Sequence, residues 1–230
     1  MASVKLPVLA ALRRFTTCDI GDALVRLNVP HGGYLSGLKM FSPGASSGKS
    51  KIFGPAYTVR MVPETETDSA RPKCHFADAI PSKSVVFVSQ PGGFISACWG
   101  GLMSTRALKA GAAGVVIDGR FRDINEHHDL GIGLFARGMS VLGSNGFTRS
   151  SELNVPLVYK IRELRNAEVL VRPGDLIMGD ADGVVAIPPD MAERCLELCE
   201  SRWAIDEATR ECLEQGVDIG PTIAKLRNIA

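Results

Sequence analysis

The sequence predicts a mixed α/β single domain, and three observations carry that prediction. Short apolar runs rich in β-branched residues, SVVFVS, GVVIDG and VPLVYKI, fill the middle of the chain. Segments with helical spacing flank them, CDIGDALVRLN on one side and MAERCLELCESRWAIDEATRECL on the other. At 230 residues, 45% of them hydrophobic, the chain is long enough to bury one continuous core.

Taken in order, residues 5 to 28 read as two helices broken at Thr16-Thr17, with Thr17 as the expected cap of the second and Asp19 in its first turn. His31-Gly32-Gly33 is a turn, and residues 42 to 51, SPGASSGKSK, are loop by composition. GASSGKS is not a nucleotide-binding phosphate loop. Only Ala45 to Ser47 separate Gly44 from Gly48, and the strand IFGPAYTVRMV follows the segment instead of preceding it. Residues 63 to 72 form a polar surface loop, HFADAI a helical turn and SVVFVS a buried strand. QPGGFISACWGGLMSTRALKAGA holds a helix-like stretch between two glycine pairs, then a helix through Leu108. GVVIDG, LFARG and VPLVYKI are strands. VLVRPGDLIMGDADGVVAIP is three more, with tight turns at Pro173-Gly174 and Asp182-Gly183. Asp175, Asp180 and Asp182 flank those turns, where aspartate is ordinary. From Pro189 to about Leu213 the pattern is a long amphipathic helix, and a short helix follows Pro221.

Composition narrows the function classes. A net charge of +1 provides no global field toward nucleic acid or anionic lipid, and no basic stripe or RNA-binding signature occurs. No apolar run approaches the roughly 18 residues that span a bilayer. MASVKLPVLAALRRFTT lacks the apolar centre and cleavage site of a signal peptide. The expectation is a soluble, cytoplasmic protein. Its 6 cysteines include no CxxC pair, which fits small core residues in a reducing compartment. Cys195 and Cys199 share a helix face, so a metal or redox role is the alternative for them.

The chemistry concentrates in GVVIDGRFRDINE, residues 114 to 126. An apolar strand delivers Asp118-Gly119 to its C-terminal end, where α/β proteins place ligands. Arg120, Arg122 and Asp123 follow at once. An isolated surface Arg–Asp pair contributes under about 1 kcal/mol. Here, however, WGGLMSTRALKAG just upstream opens a helix at a glycine pair, and the amides of such a turn attract anions. Arg122 has the planar fork that grips a carboxylate, and Asp123 is a hard oxygen ligand suited to Mg²⁺. Together they specify a small α-keto acid chelated to a divalent metal. His127 and His128 are read as a helical or loop surface pair, with metal ligation the alternative. His75 is read as a local polar or rim residue, and Trp99 either walls the pocket or packs in an interface.

The run GxxGVVIDGxxRD, with the glycine-rich helix start before it and LFARG and V-PGD-GD-DGVVAIP after it, resembles the RraA-like family. TTCDIGDAL and Gly54-Pro55-Ala56 are similar to that family's opening segment and first strand. The resemblance spans roughly residues 15 to 215 of the single domain, 1–230. It implies a swivelling β/β/α domain with flanking N- and C-terminal helices, assembled as a homotrimer or homohexamer with sites between subunits. The activity implied is that of a metal-dependent class II 4-hydroxy-4-methyl-2-oxoglutarate aldolase or oxaloacetate decarboxylase, which releases pyruvate with Mg²⁺ or Mn²⁺ as cofactor.

By the same resemblance, Asp123 binds the metal, Arg122 contacts the keto oxygen, and the turn Trp99, Gly100, Gly101, Leu102 and Met103 holds the carboxylate. The aldolases of the family read Gly-Asp in that turn, whereas Gly101 stands here in place of the acid. That departure tilts the expectation toward decarboxylation, which needs no base for a hydroxyl proton. Glu207 resembles an acid that reaches a neighbour's site, with an exposed helix residue paired to Arg210 as the equal alternative. Two other classes are weighed. The family includes a non-catalytic protein-binding regulator, but a scaffold has no need of a keto-acid pocket. A methyltransferase lacks support, because no nucleotide-binding glycine loop follows a first strand.

Overall fold

The computed structural model describes residues 4–44 and 50–227. Most of the GASSGKS segment, residues 45–49, therefore lies outside the described residues. The chain begins with helices α1 (Leu6–Leu12) and α2 (Thr17–Arg26). Strand β1 (Lys39–Ser42) is followed by the long β2 (Ile52–Pro63) and by β3 (Val85–Ser89). Helix α3 (Gly101–Ala110) leads to β4 (Gly114–Phe121), helix α4 (Ile124–Leu130) and β5 (Leu134–Met139). Strands β6 (Thr148–Leu153), β7 (Leu157–Ile161), β8 (Ala167–Val171), β9 (Leu176–Asp180) and β10 (Gly183–Ile187) come next. Helices α5 (Ala192–Glu214) and α6 (Ile219–Arg227) close the chain.

The main sheet runs β1-β5-β4-β3-β2-β9-β10, with β6 also paired to β2. Strands β2, β3, β4 and β5 are mutually parallel in sequence, and β1, β6 and β9 join them antiparallel. Val85–Val88 and Val115–Ile117 are buried throughout, which is why these strands read as continuous apolar runs instead of alternating ones.

Three apolar clusters hold the layers together. On one face α3 and α4 cover Val86, Val88, Val115 and Ile117 around Trp99 and Phe121. On the other, the β7–β8 ribbon and β9–β10 enclose Phe87, Val116, Phe135 and Tyr159. A third cluster docks α1, α2 and the start of α5 onto Phe53, Met178 and Ile187. The architecture is the expected mixed α/β domain with flanking helices, layered β/β/α.

Local departures from the sequence reading have physical causes. Thr16, not Thr17, caps α2, in a reciprocal capping box with Asp19. Thr17 instead donates both its amide, at 2.8 Å, and its hydroxyl, at 2.6 Å, to the Asp180 carboxylate at the end of β9. The stretch between the glycine pairs is irregular rather than helix-like. Ala97 and Cys98 donate their amides to the carbonyls of Leu142 and Arg120, which removes them from any helix. Helix α6 begins before Pro221, which sits within its first turn. The buried residues of α5 are Ala192, Cys195, Cys199 and Thr209, and Trp203 beyond them is 56% exposed. The continuous apolar face expected over 189 to 213 is thus confined to the first two turns. Cys195 and Cys199 are core residues there. Among the described residues no helix is long and apolar enough to cross a membrane.

Candidate functional site

The site is built where α3 meets α4, beyond the C-terminal ends of β3 and β4. The segment before α3 runs beside the end of β4: the amide of Arg122 donates to the Trp99 carbonyl at 3.0 Å, and that of Cys98 to the Arg120 carbonyl at 2.9 Å. This clamp sets Gly100 and Gly101 directly against Arg122 and Asp123. Asp123 adopts φ 66°, ψ 45°, a left-handed conformation that aspartate tolerates at a cost. The bend turns its carboxylate back onto α3, where Oδ2 accepts the Gly101 amide at 3.0 Å. Arg122 Nε lies 3.4 Å from the same oxygen.

Side chains of the next segment crowd both glycines of the turn. A Cβ on Gly100 would stand 2.7 Å from Asp123 Oδ2, and one on Gly101 would overlap the Glu126 carboxylate. Glu126 is the residue that the sequence reading missed. It follows Asp123, the left-handed residue that precedes α4, by three positions and lies in the first turn of that helix. Its carboxyl group fills the space that a side chain at position 101 would use. An acidic group thus stands beside Gly101 from α4 instead of from α3. The R-D-x-x-E spacing was the available signal.

The other residues named from sequence fall as follows. Trp99 is a core residue, 2% exposed; its indole N–H donates to Ser104 Oγ at 2.8 Å and its ring lies against Phe76. Leu102 is 78% exposed at the mouth. Of the turn's amides, that of Gly101 is taken by Asp123, and those of Met103 and Ser104 donate to the Gly100 carbonyl. The amides of Gly100 and Leu102 have no partner among the described residues, which leaves them for a bound carboxylate. Glu207 sits on α5, paired with Arg210 at 3.3 Å, and does not line the site of its own chain. Arg120 points elsewhere, donating to the Met139 carbonyl at 2.9 Å. Asp118 is a buried partner of Arg137.

His127 is not the surface residue expected. It is fully buried, with Nε2 2.7 Å from the Arg122 carbonyl. Burial depresses its basicity, so the neutral ring donates through Nε2 and steadies the bend at Arg122–Asp123. His128 Nε2 pairs with the Phe41 carbonyl at 2.7 Å instead of facing the site. His75 accepts the Ala77 amide through Nδ1 and stacks on Phe76 at the rim.

A cavity of about 360 Å³ opens over Arg122 and Asp123, walled by Trp99, Met103, His75 and Ser144. That volume lies at the small-ligand end of ordinary binding sites. No group of three or more histidine, cysteine or acidic side chains gathers as a metal cluster among the described residues. Asp123 and Glu126 offer two hard carboxylates and no soft donor. This suits an ion such as Mg²⁺, which keeps most of its waters and takes one or two protein carboxylates.

Comparison with known proteins places the fold in a family. The RraA-like family model, described as Aldolase/RraA, matches residues 17–186. A Halalkalibacterium halodurans protein, provisionally named as a 4-hydroxy-4-methyl-2-oxoglutarate aldolase, is 29% identical over 94% of this chain and 93% of its own length. The protein DlpA of Legionella pneumophila is 28% identical over 96% of the chain, which spans only 33% of that longer protein. Among solved structures, an uncharacterised Pseudomonas syringae protein superposes with a TM-score of 0.80 at 26% identity, covering 96% of this chain and 99% of that one. Streptomyces coelicolor RraAS2, described as an unusual member of the RNase ES inhibitor RraA family, shares the fold at a TM-score of 0.76 and 23% identity, covering 91% and 98%. With its family model matched over residues 17–186, the chain belongs to the RraA-like family, Aldolase/RraA.

Proposed function

We propose that this protein is a divalent-metal-dependent carbon–carbon lyase that releases pyruvate from small α-keto acids, by retro-aldol cleavage of 4-hydroxy-4-methyl-2-oxoglutarate, decarboxylation of oxaloacetate, or both. One observation carries the reading. Asp123, Glu126 and Arg122 converge on the amide end of α3, with Glu126 occupying the space over Gly101.

The roles follow from charge. Asp123 and Glu126 would hold Mg²⁺ or Mn²⁺, and a cation there supplies Lewis-acid stabilisation of negative charge on the keto oxygen. The free amides of Gly100 and Leu102 bind the C1 carboxylate. Cleavage of the C3–C4 bond leaves its electron pair on C3, delocalised to the C2 oxygen as the pyruvate enolate. The Arg122 fork donates to that oxygen and stabilises the charge as it develops. His127 keeps the Arg122 backbone in place. In the aldol reaction a proton also leaves the C4 hydroxyl, and Glu126 is the acid closest to the vacant side-chain position of Gly101 to accept it, directly or through one water.

Exposed Leu102, Met139 and Val141 rim the site. In this proposal a second subunit of a trimer or hexamer covers them and brings its Glu207 to the cleft. The test is pyruvate release from the two compounds with Mg²⁺ or Mn²⁺, against a metal-only blank. Activity that EDTA abolishes and metal restores supports the lyase. No release above the blank from either compound rejects it in favour of a protein-binding regulator.

A further inference from the structure

A second cavity, of about 300 Å³, lies at the C-terminal ends of the same parallel strands. Its walls are the loop after β3, Pro91 to Ile95, together with Gly119, Arg120, Arg137 and Arg162. The connection from β3 to α3 separates the two cavities: its first half lines this one and its second half, from Ala97 to Gly100, lines the Arg122 site.

Three guanidinium groups face this small space, and only one is neutralised. Arg137 is buried against Asp118, and it also donates to the carbonyls of Ser36 and Lys160. Arg120 makes one side-chain hydrogen bond, to the Met139 carbonyl at 2.9 Å. Arg162 is exposed, with no hydrogen bond or ion pair among the described residues. The neighbouring Glu163 does not line the cavity; its carboxylate lies beside Gly37, near the Arg137 guanidinium. Arg120 and Arg162 thus have no ion-paired carboxylate among the described residues.

The opposite wall is backbone. The amides of Gly92, Gly93 and Ile95 have no partner among the described residues. Gly93 has φ 89°, and a Cβ at Gly92 or Gly93 would meet nothing within 4 Å, so the loop is open to a ligand. The floor is rigid, because Gln90 donates to the Ser96 carbonyl at 2.9 Å and accepts the Arg120 amide at 3.0 Å. A ligand would therefore bind without ordering the strand ends first.

We propose that this cavity is an anion site, distinct from the Arg122 site, that binds the phosphate group of a small phosphorylated molecule. Its two unneutralised guanidiniums match a dianion, and consecutive free amides on a glycine loop suit the several oxygens of a tetrahedral group. Its volume restricts the ligand to a compact one.

Isothermal titration of the full chain with inorganic phosphate, with malonate as the dicarboxylate control, tests this. The expected result is saturable binding of phosphate at one site per chain, tighter than malonate. Arg162→Gln should weaken it at least about tenfold, the loss of one charge-assisted pair. Arg120→Gln should weaken it similarly, and Arg122→Lys should leave it unchanged. Arg162 makes no hydrogen bond or ion pair among the described residues, and an unchanged melting temperature of its variant separates a binding loss from a folding defect. Absence of saturable phosphate binding, phosphate affinity unaltered in Arg162→Gln, or tighter binding of malonate would each overturn the proposal.

Discussion

Strand β4 and the turn after it carry two Arg–Asp pairs five positions apart, and the two are opposites. Asp118 pairs with Arg137 across to β5, with side chains only 12% and 8% exposed. Arg137 also stacks on Tyr159 at 4.4 Å and donates to two carbonyls. Asp123 pairs with its own neighbour Arg122, with side chains 32% and 46% exposed, at 3.4 Å and from a left-handed backbone. The first pair spends its hydrogen-bonding capacity inside the fold. The second is held at a conformational cost and keeps donors and oxygens free. A dense run of charge after a buried strand is thus two different things, a structural tie and an open pair proposed to carry the chemistry. Burial and hydrogen-bond satisfaction, not charge, tell them apart.

Substitutions should separate the pairs. Arg137→Met leaves Asp118 buried without its partner, whose desolvation already pushes its carboxyl above the ordinary range. The expected cost is about 3–5 kcal/mol of stability, a fall in Tm of roughly 6–20 °C by differential scanning calorimetry. A Tm near wild type would make the two pairs equivalent. Glu126→Gln should instead keep Tm and lower Mn²⁺ affinity and pyruvate release by about 10- to 100-fold. The double variant Gly101→Asp with Glu126→Gly, which moves the acid from α4 back to α3, should recover part of that loss. No recovery would mean that Glu126 does more than replace the missing acid.

Arg122→Lys keeps the charge and loses the fork. It should lower kcat by at least about tenfold, near 1.4 kcal/mol of transition-state stabilisation, with Tm unchanged. Steady-state kinetics beside calorimetry distinguish this from a folding defect. The smallest effect belongs to the support beneath the reactive pair. His127 is held neutral by burial, its folded pKa below the ordinary value of about 6.5. As pH falls below that value the unfolded chain takes up a proton that the folded one refuses. Stability of the metal-free protein should therefore decline from about pH 6.5 downward. His127→Gln, whose amide can still donate to the Arg122 carbonyl, should flatten that decline in urea titrations. Arg120→Lys should leave kcat and KM within about twofold, because Arg120 faces away from the reactive pair.

How much of this was legible in the sequence depended on whether a signal was local. SVVFVS and GVVIDG were readable as strands because both of their faces are buried. The strands KMFS and TRSSEL were not: they pair antiparallel beside longer strands, and every one of their residues is polar or partly exposed. INEHHDL hid a helix behind charge, since only His127 of α4 is fully buried. Arg122 and Asp123 could be found from spacing within one segment. Glu126 could not be assigned from Gly101 alone, because their proximity exists only after β4 has carried α4 back against α3. Trp99 read as ambiguous for a similar reason, as its packing partner Phe76 lies in a different loop.

The most direct test of the reactive pair is one titration on one preparation. Metal-free protein is titrated with Mn²⁺ by isothermal calorimetry, and pyruvate release from oxaloacetate and from 4-hydroxy-4-methyl-2-oxoglutarate is followed at each addition, in wild type and in Asp123→Asn. Wild type should bind one Mn²⁺ per chain and gain activity in step with occupancy, and Asp123→Asn should lose both together. Full pyruvate release in excess EDTA, or an Asp123→Asn protein that keeps both metal and activity, would contradict the assignment of the metal and the chemistry to this end of α3.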